Sequence, residues 1–167
     1  MKPLVFLAAM LVTLPAAAAE VDFKAIFARH WQTSKEFTLA VAEAMPEESY
    51  DFKPQAEEMS FGRLMIHIAD ENSRNFARAA GTTRMARPSS TDKKTAIRFL
   101  TESFNKCANE FEGMTQEQLV KTLYQFEGRP VIAIELLWFS FTHTAHHRGQ
   151  GEVYLRVKNI KPPDYRF

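Results

Sequence analysis

The sequence predicts an all-α protein built as a four-helix bundle, and three observations carry that expectation. Four long segments place apolar residues at helical spacing. Pro46, Gly81, Gly113 and Pro130 punctuate them. No run alternates strongly enough to propose a sheet, so four amphipathic helices closing on one core are the natural arrangement. No internal repeat appears.

Residues 1–19 stand apart from that pattern. Lys2 precedes an apolar run from Leu4 to Leu14 broken only by Thr13, and Pro15 with Ala16–Ala19 follows. This is the pattern of a secretory signal peptide cut after Ala19. The apolar run is far shorter than the ~20 residues that span a bilayer. No cysteine follows it, so no lipid anchor is expected. A periplasmic or secreted protein without a membrane anchor is implied, with residues 20–167 as the bundle domain. Cleavage removes Lys2, and the +1 net charge of the whole chain falls to zero. Such a balance offers no basic stripe for nucleic acid.

Residues 21–45 form the first helix, with Phe23, Ile26, Phe27, Phe37 and Val41 as its apolar stripe. His30 lies within that stripe, where a core histidine is the commoner reading. Pro46 stops the helix. Residues 46–60 hold two prolines and scattered charges and read as a connector, with Tyr50 and Phe52 turned back onto the core.

Ser60 is suited to cap the second helix, which carries Phe61, Leu64, Met65, Ile68, Phe76 and Ala79 inward and closes at Gly81. His67 sits on the flank of this stripe, with Glu71 one turn on. It reads either as a metal ligand supported by Asp70 or Glu71, or as a boundary histidine paired with Glu71. Residues 82–90 form a loop whose Arg84 and Arg87 read as solvated.

Ser90 or Thr91 is placed to cap a third helix that runs to about Glu112 and ends at Gly113. Cys107, the only cysteine, keeps phase with Ile97, Leu100, Phe104 and Phe111 and reads as a core residue. Residues 115–130 form a mixed connector: a helical turn opened by Thr115, a weakly alternating Thr122–Phe126, and a turn over Glu127–Pro130.

The last helix is expected over residues 131–157. His143 and His147 are four apart, which places them on one face with Cβ atoms ~5–6 Å apart. With His143 as origin, Leu136, Phe139, His147, Gln150 and Tyr154 fall within ~40° at ~100° per residue, and His146 lies ~60° to the side. The pair is therefore expected to face the core. Buried neutral imidazoles each need a donor and an acceptor satisfied. Either a metal takes one nitrogen of each, with Gln150 or a carboxylate holding another, or the two form a hydrogen-bonded core pair.

The run His143-Thr144-Ala145-His146-His147-Arg148-Gly149-Gln150, with Val153–Arg156, Ile160–Pro163, Ser60–Ala69 and Asp51–Pro54, resembles the DinB-like superfamily of metal-dependent enzymes. The resemblance spans essentially all of residues 20–167. It implies an up-down-down-up bundle, a homodimer, and a three-histidine site of His67, His143 and His147 holding a divalent metal, zinc or nickel first. His146 matches a common family residue that is not a ligand, and His30 matches no ligand position.

Two functions follow. One is a metal-dependent hydrolase or transferase acting on a small molecule, with Asp70 or Glu71 the nearest base in sequence. The other is a non-catalytic bundle that the metal ties together. Thr144 stands where H-E-x-x-H peptidases carry glutamate, which argues against that class, and no C-x-x-C-H supports haem. The superfamily that the chain resembles includes thiol-dependent S-transferases and an isomerase that use cytosolic low-molecular-weight thiols. An exported chain lacks that pool, which argues against thiol transfer but not against the metal site.

Overall fold

A computed structural model describes residues 21–167; the expected signal peptide lies outside the described residues. Its four long helices are α1 (Phe23–Ala44), α2 (Phe61–Ala80), α3 (Lys93–Gly113) and α5 (Ala133–Val157); a short α4 (Gln116–Val120) and two strands, β1 (Thr122–Phe126) and β2 (Arg129–Ile132), precede α5. No helix among the described residues is long and apolar enough to cross a membrane.

Contacts along the helices fix their directions. The start of α1 meets the end of α3, where the Lys24 ammonium donates to the Glu112 and Met114 carbonyls at 2.9 and 2.8 Å. The other end repeats the arrangement, with Lys93 donating to the Glu43 and Met45 carbonyls at 2.7 and 2.8 Å. Each lysine thus satisfies carbonyls that a helix C-terminus leaves open and opposes its negative dipole end. The pair α1/α3 is therefore antiparallel.

By contrast α2 and α3 run parallel. Ser103 donates to the Ala69 carbonyl at 2.7 Å, the start of α2 touches Thr91, and Thr82 beyond its end reaches Glu110. Tyr154 near the end of α5 donates to Met59 just before α2, so α2 and α5 are antiparallel. Arg148 donates to Ser34, and Phe141 packs near Phe27, so α5 runs with α1. The course is up-down-down-up, with α1 and α2 on one diagonal.

The core is aromatic on the α1/α3 side. Phe27 and Phe111 rings lie 4.5 Å apart, and Trp31 lies 4.7 Å from Phe76 and 5.0 Å from Phe104. The Trp31 indole N–H donates to the Phe104 carbonyl at 3.2 Å, so its polar edge is satisfied inside the core. Cys107 is fully buried there, and burial pushes its thiol far above its ordinary pKa. Tyr50 and Phe52 do fold back. The Tyr50 hydroxyl donates to the Ala42 carbonyl at 2.7 Å, and Phe52 packs against the core cluster.

Caps explain most boundaries. Ser60 Oγ accepts from the Arg63 N–H at 3.3 Å, and Gly81 ends α2 in the left-handed region at φ 73°. The cap of α3 is Asp92, not Ser90 or Thr91; its carboxylate accepts from the Thr95 N–H at 2.8 Å. Thr115 opens α4 through a reciprocal bond with Gln118.

The connector departs most from expectation. Residues 122–132 form an antiparallel hairpin with Tyr124 opposite Val131 and Phe126 opposite Arg129. Glu127 and Gly128 both have positive φ, 48° and 79°, as a two-residue hairpin turn matched to strand twist requires. Val131 and Ile132 thus belong to β2, and α5 starts at Ala133, later than the sequence implied. Glu135 marks that start: its carboxylate reaches back to the Ile132 N–H at 3.2 Å.

Candidate metal centre

His67 comes from the middle of α2, and His143 and His147 come from successive turns of α5. The two helices are antiparallel neighbours, so residues 76 and 80 positions apart meet. His67 Nε2 lies 3.2 Å from His147 Nε2, which lies 3.0 Å from His143 Nε2. One ligand atom from each ring lies within 4.8 Å of the others.

That convergence fits a metal on the chemistry of its donors. Nitrogens ~2.0–2.1 Å from a tetrahedral ion sit ~3.3–3.4 Å apart, close to the two separations here. Two of the Nε2 atoms close on His147 Nε2, so their lone pairs need protons or a cation between them. The far side of His147 is tied down: its Nδ1 lies 2.6 Å from Gln150 Oε1. Donating Nδ1–H to that carbonyl leaves Nε2 as the free lone pair. The Gln150 amide nitrogen lies 3.4 Å from His146 Nε2, and the His146 ring stands edge-on to that of His147 at 4.8 Å, so His146 flanks the cluster without converging on it. His143 Nδ1 is buried with no hydrogen-bond partner.

The histidines are half-buried at the rim of the core rather than facing its centre. The innermost line of α5 runs through Leu137, Ser140, Thr144, Gly151 and Leu155. Phe139, which shares the histidine face, is 49% exposed. Periodicity located the shared face correctly but not its depth: that face turns toward the seam with α2, which opens to solvent.

Electrostatics favour neutral rings. Burial first, then the neighbouring imidazoles and Arg74, lower His143 to about 4. His67 is lowered by burial and by His147, and His147 by burial against the opposing pull of Gln150 and Glu71. Neutral imidazole is the form that ligates.

Glu71 does not pair with His67; Arg74 engages its carboxylate. Asp70 faces Arg87 at 4.0 Å, with its other oxygen buried and unpartnered. His30 lies elsewhere, against α5 and Phe167. Among the described residues no fourth histidine, cysteine or carboxylate joins the cluster.

Sequence reasoning missed the support directly beneath. Asn72 Nδ2 donates to Thr144 Oγ1 at 2.9 Å, and that hydroxyl donates to Asn72 Oδ1 at 3.1 Å, both side chains fully buried. The pair locks α2 to α5 one turn from the histidines. Its signal was a polar residue in phase with the apolar stripe of α2.

A four-helix bundle with a histidine triad across two antiparallel helices is the class that this geometry defines. The DinB family profile matches residues 19–164, and the chain belongs to the DinB family. Its fold is similar to a DinB-like protein from Bacillus subtilis, at TM-score 0.71 and 20% identity over 84% of this chain and 98% of that one. A DinB-like protein from Bacillus cereus is equally similar, at TM-score 0.70 and 21% identity over 84% and 95%. No curated protein matches the chain.

Proposed function

We propose that the protein is a metal-dependent hydrolase or transferase whose ion, zinc or nickel, is held by His67, His143 and His147. The observation that carries this reading is the convergence of three ring nitrogens, with no fourth histidine, cysteine or carboxylate joining them among the described residues. When bound, a divalent ion lowers the pKa of water and polarises substrate oxygen at neutral pH.

The chain's own residues supply the rest. Gln150 sets the tautomer of His147, and the Asn72–Thr144 lock fixes the spacing of the two helices that bear the ligands. Asp70 and Glu71 sit one helical turn or less from His67; each is near enough to favour the protonated form of a ring, Asp70 that of His67 and Glu71 that of His147. On sequence spacing either is the candidate to take a proton released at the centre, Glu71 only on leaving Arg74. The chain acts in the periplasm or outside the cell as a homodimer.

Purified protein is expected to carry about one equivalent of metal per chain, and a hydrolase substrate screen should find activity lost to chelator and regained with metal. Activity that survives complete metal removal refutes the enzyme reading. Metal without activity across the screen leaves the non-catalytic bundle, in which the ion ties α2 to α5.

A further inference from the structure

Beside the triad, the seam between α2 and α5 continues into a groove of about 580 Å³ closed by the β1–β2 hairpin. Phe139 lines it, and its ring lies 5.5 Å from that of His143, so groove and histidines adjoin. The groove is basic: Arg74 toward the histidines, then Arg78 and Arg129, line it against a single acid, Glu135.

The three arginines differ in what they hold. Arg74 is engaged by Glu71, and Arg129 donates to Glu135 at 2.8 Å. Arg78 has no carboxylate partner among the described residues; its guanidinium stacks over the Tyr124 ring at 4.0 Å. Stacking uses the face of the planar group and leaves its edge donors open. A second observation points the same way. Asn75 lines the groove at 5% exposure, and its side-chain amide nitrogen is buried without a hydrogen-bond partner. A buried polar group left unpaired is costly, and an anion in the groove would supply the acceptor that this amide lacks. The remaining wall is apolar, from Phe126, Val131 and Leu136.

We propose that this groove binds the carboxylate of a small organic molecule, with the anion on Arg78 and Asn75 and an apolar body along Phe139. This substrate class rests on the metal-centre reading for what happens at the other end. Asn75 and Arg78 lie eight and eleven residues beyond His67 on one helix, about 12 and 16 Å along its axis. The substrate therefore carries its reacting group on the order of 10–15 Å from its carboxylate. A carboxylate suits one uncommitted guanidinium fork, which pairs it edge to edge. The hairpin gains a role: it brings Tyr124 under Arg78 and closes the groove.

The test compares 4-phenylbutyrate with neutral 4-phenylbutanamide at pH 7.5, by calorimetry and by amide chemical shifts. The acid is expected to bind at least about tenfold tighter and to perturb residues 74–78, 124 and 139. Arg78→Gln should abolish the preference for acid over amide while the protein keeps its helical circular dichroism and its metal content. Asn75→Ser should weaken the acid and spare the amide, and it serves if Arg78→Gln does not fold. Equal binding of acid and amide, binding mapped elsewhere, or a preference that survives Arg78→Gln overturns the proposal. Metal content is read separately. Wild-type protein that takes up no metal defeats the proposed function, while the acid preference of that same protein still decides the groove.

Discussion

The two faces of α2 belong to different kinds of protein. Toward α3 and α1 it presents Phe76 to Trp31, in a cluster of rings whose polar edges are satisfied internally. Toward α5 it presents His67, Asn72 and Asn75, all polar, the two asparagines buried. The ring side gains from apolar area removed from water. The seam buries groups that need partners, and leaves His143 Nδ1 on α5 and Asn75 Nδ2 on α2 without any. Unpaired polar atoms on the two sides of this seam mark where stability has been exchanged for ligand binding.

The contrast can be broken by changing each side in turn. Trp31→Ala removes a 2%-exposed ring and the bond to Phe104. About 3–5 kcal/mol of stability should be lost in urea unfolding, with metal stoichiometry unchanged in the folded fraction. His143→Ala should do the reverse: metal content falls from about one equivalent toward zero, read by elemental analysis, while the metal-free protein unfolds at nearly the wild-type midpoint. A His143→Ala protein that keeps its full equivalent would remove His143 from the centre.

Gln150→Leu tests a smaller effect at the same place. Without the acceptor on Nδ1 the tautomer of His147 is no longer held, and metal affinity should drop about 10–100-fold by competition with a chelator. Removal of metal exposes a pH dependence next. The folded-state pKa values of the three rings lie below their unfolded value near 6.5, with His143 at about 4. Between those limits the unfolded chain binds more protons, so stability falls as pH drops through the window. Thermal melts of metal-free protein from pH 7 to 4.5 should show that slope, reduced in His143→Gln. The smallest effect belongs to the ring side. Cys107 should react with a thiol reagent only at the rate of unfolding, and Cys107→Ala should leave metal binding untouched.

How far the sequence revealed this contrast depends on how local each cause is. The stripes of α1, α2 and α3 were legible because periodicity reports which side faces a core, and Cys107 followed from its phase. The His143/His147 pair was legible from spacing alone. His67 was not: its phase placed it on a flank, and only the family resemblance joined it to residues 76 and 80 positions away. The first strand and the turn showed as a weak alternation over Thr122–Phe126 and a turn after it, but the second strand escaped because β2 is four residues long, contains Pro130 and buries only Val131, too little alternation to register. Asp92 escaped because Ser90, Thr91 and Asp92 are three cap formers in a row. Arg78 and Asn75 carry no sequence signal of their own; only the packing of Tyr124 and Phe139 beside them gives them a place.

The parallel run of α2 and α3 sets a length problem that the antiparallel pairs do not have. The chain must return along the whole of α2, about 30 Å at 1.5 Å per residue, using only residues 81–92. Fully extended, those residues and their flanking bonds reach about 40–45 Å, so the strap runs at roughly three quarters of its contour length. It is also pinned: the Met85 N–H donates to Ser73 at 2.7 Å, Arg87 faces Asp70, and the Thr91 carbonyl closes on Gly62 so tightly that a Cβ there would sit 2.0 Å from it. A chain with limited slack responds unequally to length changes. Extra residues bow outward at small entropic cost, whereas a deletion of more than about three residues must draw on the first turn of α3 or the last of α2, and a shorter one already strains the pinned points. Greater tolerance to insertion than to deletion is thus written into this crossover, and Gly62 is the point at which the strap is held down.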